Sequence, residues 1–265
     1  MLDPGACTTC APRWPSPSAA TSDVSSLVFD LAAFFAHPDD AELVAGGTLA
    51  REAARGRRIA IVDLTRGESG SRGTPETRAA EATEAARVLG VAHRESLGLP
   101  DSCLSAVPEQ RDVVVAALRR LRPQVVVTQH WEQRHPDHAV TSRLVADAAF
   151  VAGLRNHRPD LGPAFRPRKL VYALPTTEGV EIAPGFVVDV TATWSQKLLA
   201  IAAFKSQFTA GPGETVALPF DRFRENVELA GRRSGARIGV AYGEAFVTRE
   251  PLVVDDLVAL GGSST

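Results

Sequence analysis

Continuous apolar runs, each followed by a helical pattern, recur along the chain from Val28 onward. "LVFDLAAFFA" stops at His37, and a helical pattern runs from about Asp40 to Arg55, closed by Gly56. "RRIAIVDLT" is a second strand, followed by the loop "RGESGSRGTPE" and an Ala- and Glu-rich helix that ends at Gly90. The order then repeats, with a short strand near "HRESLGL", a helix at "PEQRDVVVAALRRL", a strand at "QVVVTQ" and a helix from Pro136 toward Gly153. An unbroken apolar core in a strand means that both faces of its sheet are covered. Strands alternating with helices of this length imply crossover connections, so the expected fold class is α/β, in three layers around a mostly parallel sheet.

Beyond Gly153 the pattern loosens. "RKLVYALP" and "FVVDV" read as strands and "ATWSQKLLAIAAFKSQF" as one helix. "DRFRENVELAGRRSGARIG" reads as a last helix and "VAYGEAFVTRE" as a closing strand. No linker and no internal repeat interrupts this half, so residues 28–265 are expected to form a single domain. Residues 1–27 are rich in Pro, Ser, Ala and Thr and are expected to be a disordered extension. Their Cys7-x-x-Cys10 lacks a second Cys pair to complete a zinc site and is read as incidental.

Bulk properties exclude several functions. A net charge of −2 gives no attraction to nucleic acid or anionic membrane. No apolar run approaches the roughly 18 residues that span a bilayer. Three cysteines, an odd count, give no disulfide framework, so a reducing, cytoplasmic location is expected.

Two polar clusters stand where strands give way to helices. "HPDD" (His37–Asp40) follows the first strand and "HPDH" (His135–His138) follows "QVVVTQ". Each alone is explained as a helix N-cap, with an aspartate accepting backbone N–H groups. Together, at the carboxyl edge of one parallel sheet, they face the crevice where such sheets bind ligands. His37, Asp40 and His138 make two imidazoles and a carboxylate, a catalytic zinc set that leaves positions for water; ferrous iron or another first-row ion suits it too. Asp39 is left over as a base. Deprotonating free water with a carboxylate is uphill by about 12 pKa units, roughly 16 kcal/mol, and a metal that brings bound water near pKa ~7 cuts that to roughly 4 kcal/mol. His135 with Asp137 reads as a supporting pair that stabilises charge or passes on a proton. Arg66, Glu68, Arg72, Arg78 and Asp101 lie at the same sheet edge, where solvated and ligand-binding roles are about equally expected. Gly46 and Gly47 do not make a dinucleotide loop and are read as allowing the helix to pack closely on the sheet.

"AHPDDAELVAGGTLA", "VDLTRGESGSRGT", "LGLPDS", "RHPDH" and "FKSQF" together resemble the LmbE-like (PIG-L) deacetylases, most of all those that act on N-acetylglucosaminyl malate in bacillithiol biosynthesis. The similarity runs from Val28 to "REPLVVDDLVAL". It implies a Rossmann-like fold and a divalent metal, commonly zinc, held by His37, Asp40 and His138. It makes Asp39 the general base and acid, and His135, backed by Asp137, the stabiliser of the transition state. Arg78 and Asp101 match sugar-holding positions, Glu68 more weakly, and Arg166 matches an arginine that assists the oxyanion. Mycothiol-pathway relatives carry a tyrosine two residues before the position of His135; Gln133 stands there, which favours the bacillithiol branch. The resemblance also implies a small amino-sugar substrate and a homo-oligomer, often a hexamer. Rival expectations are another N-acyl sugar (chitobiose-like, glycolipid or glycopeptide) and, least favoured, a non-catalytic sugar-binding module.

Overall fold

The computed structural model describes residues 28–175, 182–209, 219–256 and 261; the extension expected at residues 1–27 lies outside them. Seven strands form one sheet: β1 (Leu31–Phe35), β2 (Ile59–Asp63), β3 (His93–Ser96), β4 (Val125–Gln129), β5 (Lys169–Ala173), β6 (Phe186–Asp189) and β7 (Gly243–Val247), in the order β3-β2-β1-β4-β5-β7-β6. The first five run parallel. β1 and β2 are buried at every residue, as their unbroken apolar sequence requires.

From β1 the chain winds outward to β2 and β3, and then returns to build β4 and β5 on the other side. The carboxyl ends of β1 and β4 therefore diverge into a crevice at the switch point. Four helices make the crossovers and flank this half: α1 (Asp40–Ala54), α2 (Pro75–Leu89), α3 (Pro108–Leu121) and α4 (Pro136–Ala152). Three of them begin with proline at the first position, where the missing N–H costs nothing. α2 is also capped by Thr74, which accepts from the Thr77 N–H, and stopped by Gly90 at φ 72°. Side chains of α3 and α4 fill one face of the sheet around Phe34, Val62 and Val126, while α1 and α2 fill the other around Ala33, Phe35 and Ile61.

One expectation for the second half is corrected. The single helix read at 192–208 is a 3-10 turn (Thr191–Thr193) followed by α5 (Trp194–Ala202) and the short α6 (Lys205–Phe208). The chain breaks at Phe204, whose ring is buried in the core beside α1 and α2, so a straight continuation would pull it out. β7 is the last strand of the chain, as expected, but it does not lie at an edge of the sheet. It inserts antiparallel between β5 and β6, with Phe246 opposite both Ala173 and Phe186. α7 (Phe220–Ala236) packs behind it, where Val227 joins Val190, Trp194 and Ile201 in a third apolar cluster. Among the described residues no helix is long and apolar enough to cross a membrane.

Candidate metal centre

β1 delivers His37 to the crevice and α1 starts three residues later. Asp39 adopts φ 108°, a left-handed value that strains a residue with a side chain by about 1–3 kcal/mol, and strain of this kind gathers at functional sites. It makes no side-chain cap bond, so its position is not explained by capping. Asp40 does accept a backbone bond, from His37 N–H at 2.9 Å. At the other loop His135 is itself the N-cap of α4, its Nδ1 accepting from the Asp137 N–H at 3.2 Å.

One carboxylate links the two loops. Asp40 Oδ2 lies 3.3 Å from His37 Nδ1 and Asp40 Oδ1 lies 3.2 Å from His138 Nε2. The ring nitrogens of His37, His135 and His138 also converge, within 4.8 Å of one another. On its far side His37 Nε2 meets Asp101 Oδ1 at 3.1 Å and Asp137 Oδ2 at 3.3 Å. Asp101 and Asp137 on one ring nitrogen and Asp40 on the other fix the orientation of the His37 ring, as partner carboxylates do for a metal-ligating imidazole. Burial works against a charge on His37, yet Asp101, Asp137 and Asp40 together push it up to about 12. Burial also opposes the Asp40 charge, and His138 and His37 nevertheless hold its carboxyl well below the usual range. Several acids converging on imidazoles make a donor set in which a divalent cation can take the place of the His37 proton, and nitrogen and carboxylate donors suit zinc or ferrous iron.

Asp39 stands beside this set. Burial pushes its carboxyl up to about 7 against the pull of Arg78, and the Asp40 charge adds to the push. Arg78 Nη2 donates to Asp39 Oδ2 at 3.0 Å and to the Pro38 carbonyl, while Nη1 donates to the Gly67 carbonyl at 3.3 Å. His135 is lowered by burial and by the neighbouring charges of His138 and His37.

The remaining expected residues divide sharply. Arg78 is buried and committed to Asp39, so it braces that carboxylate instead of offering an open face to a sugar. Asp101 is buried too, its oxygens engaged by His37 and by the Ser69 N–H at 2.8 Å. Glu68 bridges the Asp101 N–H (3.0 Å) and the Arg66 N–H (3.1 Å), which ties two loops of the rim together. The Asp137 carboxylate does not stand behind His135; it faces His37 and accepts from the Ser102 N–H at 2.8 Å. Arg166 is not brought to the centre at all. It lies by the last turns of α4, over the Phe150 ring and donating to the Phe150 carbonyl, because the loop after α4 ends at the opposite edge of the sheet. Gln129 was missed: its Nε2 donates to Asp40 Oδ2 at 3.0 Å and its Oε1 accepts from the Ala36 N–H. A buried amide at the carboxyl end of an apolar strand is the sequence signal that points to it.

Residues 32–149 match the family model described as GlcNAc-PI de-N-acetylase, PIG-L. The chain is 30% identical over 253 residues to the 1D-myo-inositol 2-acetamido-2-deoxy-α-D-glucopyranoside deacetylase of Nocardiopsis dassonvillei, covering 72% of this chain and 88% of that one. Against other curated relatives of the same description it spans little more than half of their length, 56% to 59%. Among solved structures it resembles the conserved protein TT1542 of Thermus thermophilus, with a TM-score of 0.78 at 41% identity over 87% of this chain and 99% of that one. It also resembles the N,N'-diacetylchitobiose deacetylase of Pyrococcus horikoshii, with a TM-score of 0.70 at 26% identity over 82% of each.

Proposed function

Since the chain belongs to the PIG-L family, we propose that it is a metal-dependent hydrolase that removes the N-acetyl group from a small GlcNAc conjugate. The observation that carries this reading is the Asp40 carboxylate shared by His37 and His138, with the strained Asp39 held beside it by Arg78. A divalent ion such as zinc or ferrous iron, held by His37, Asp40 and His138, would supply Lewis acidity toward the acetamide carbonyl and toward the attacking water.

The residues of the chain do the rest. Asp39 accepts the proton of the attacking water and returns it to the leaving nitrogen, so that acetate and a free amino sugar are released. Arg78 keeps that carboxylate aimed into the crevice. His135 Nδ1 accepts a backbone N–H, so a neutral ring carries its proton on Nε2 and donates from there to the oxygen that gains charge. Asp101 and Asp137 orient His37, and Gln129 orients Asp40. Sugar contacts by Arg78, Asp101 or Glu68 belong to the same proposal and require those side chains to leave the partners described above.

For the aglycone we favour malate, on the strength of Gln133 and Arg134 before His135. Cytoplasmic location rests on the cysteine count, and assembly as a homo-oligomer, up to a hexamer, on the family resemblance. The deciding experiment is acetate release from N-acetylglucosaminyl malate, the N-acetylglucosaminyl inositol conjugate, diacetylchitobiose and free GlcNAc, with metal-free and zinc-reconstituted protein in parallel. Zinc-dependent release with preference for the malate conjugate is expected. Preference for the inositol conjugate or chitobiose keeps the chemistry and replaces the aglycone. No release from any of them by metal-loaded protein favours a different acyl substrate or a binding module.

A further inference from the structure

One turn below Asp40, helix α1 is entered from outside. Glu244 of β7 is buried and accepts from two mid-helix amides, Gly47 N–H at 2.9 Å and Thr48 N–H at 2.7 Å. Lys197 of α5, only 1% exposed, donates to the Leu43 carbonyl at 2.8 Å and to Glu244 Oε1 at 2.6 Å. Thr193 Oγ1 donates to the Gly47 carbonyl at 2.8 Å. In an uninterrupted α-helix the Leu43 carbonyl serves Gly47 and the Val44 carbonyl serves Thr48. Here side chains from two other elements engage the donors of both pairs and the acceptor of the first. The paired glycines make the entry possible. A Cβ at Gly46 would stand 3.3 Å from Lys197 Cγ, and one at Gly47 only 2.7 Å from Val190 Cβ. The close approach expected between this glycine pair and the sheet is therefore an approach to α5 and Val190.

Glu244 acts toward the Thr48–Ala54 portion of α1 as an N-cap acts toward a helix start, and Lys197 serves a carbonyl of the first turn as a cationic C-cap does. A buried ion pair of this kind costs desolvation, and apolar residues of similar volume often stabilise as well or better. Stability alone does not account for placing one inside a helix. We propose that Lys197 and Glu244 are positioning residues for the candidate metal centre: by bonding into α1 just below its first turn they fix that turn, and with it Asp40. The metal arm of this inference rests on the reading that His37, Asp40 and His138 hold the ion.

The test uses the full chain with Glu244→Gln, Lys197→Met and, as a control, Val227→Ala, which removes packing from the same region without touching α1 polar groups. Three quantities are read: melting temperature, amide hydrogen exchange of residues 40–43 in metal-free protein, and zinc affinity by chelator competition. Both dyad variants are expected to exchange at least about tenfold faster in the first turn than wild type, the signature of local opening. They are also expected to bind zinc about 10- to 100-fold more weakly, the range for partners that orient metal ligands. Val227→Ala should lose melting temperature while leaving both other quantities at wild-type values. If the dyad variants behave like Val227→Ala, losing melting temperature only, the pair is structural and the proposal is overturned. A wild-type protein that binds no zinc would overturn the metal reading instead, and the exchange measurement would still decide the role of the pair.

Discussion

Asp40 Oδ1 lies 3.2 Å from His138 Nε2, and this contact joins the loop after β1 to the loop after β4 across the switch point of the sheet. The other oxygen of the same carboxylate reaches His37. The candidate metal site is thus shared between the first turns of α1 and α4, which only the folded sheet brings together, while Asp39 stands beside it, paired with Arg78.

This division of labour separates two variants. His138→Ala should lower metal affinity at least about 100-fold, since one of three protein ligands is gone. Asp39→Asn should retain the metal and lose about 10²- to 10⁴-fold in kcat, the usual contribution of a general base. Metal content after dialysis and steady-state rates of acetate release check both. Near-full turnover by metal-loaded Asp39→Asn would show that the base lies elsewhere.

Asp137 provides a sharper discrimination. Its carboxylate faces His37 Nε2, so Asp137→Asn should weaken zinc binding about 10- to 100-fold, while His135→Ala leaves zinc affinity at the wild-type value and lowers kcat. Calorimetric titration of zinc into the two variants settles the matter. Had Asp137 served His135, the first variant would lower kcat and leave zinc affinity unchanged.

How far the sequence foretells this site depends on the range of the interaction. β1, α1 and α3 are legible because apolar continuity, terminal prolines and glycine stops act over a few residues. His37, Asp39, Asp40 and His138 are legible because each stands at a strand-to-helix junction, and junctions at one edge of a parallel sheet converge. What escapes is decided by distant partners. Arg78 reads as a helix-start arginine that is either solvated or ligand-binding, yet it is buried against Asp39. Gln129 gains its meaning only from Asp40. The break at Phe204 and the insertion of β7 follow from where a ring and a strand find cover, which no local pattern in "AIAAFKSQF" or "GEAFV" records.

Arg119 is the buried counterpart of these long-range contacts. It donates from all three guanidinium nitrogens to five carbonyls, those of Ala152, Leu154, His157, Arg158 and Gly162, and so folds the loop after α4 onto α3. Arg119→Met should cost about 1–3 kcal/mol, because the buried Ala152 carbonyl is left unpaired while water reaches the others, which belong to half-buried or exposed residues. Urea unfolding measures it. The metal affinity of the folded variant should equal that of wild type, since the loop lies at the opposite edge from His37; a matching loss of affinity would contradict the separation.

Glu95 on β3 gives the pH dependence a definite sign. Burial opposes its charge, but the close His93 ring and the bonds from Arg120 outweigh that and hold its carboxyl below the ordinary value. A depressed carboxyl binds its proton more tightly in the unfolded chain, so its stabilising effect is complete above the unfolded value near pH ~4.3 and fades as pH falls through the lower folded value. The pair with Arg120 is partly exposed, so the effect is at most about 1 kcal/mol. Unfolding free energies of wild type and Glu95→Gln, measured in parallel from pH 7 to pH 3, should therefore differ by a constant amount down to about pH 5 and converge below it. A gap that stayed constant to the acid end of the series would mean that packing, not the charge, is what Glu95 contributes.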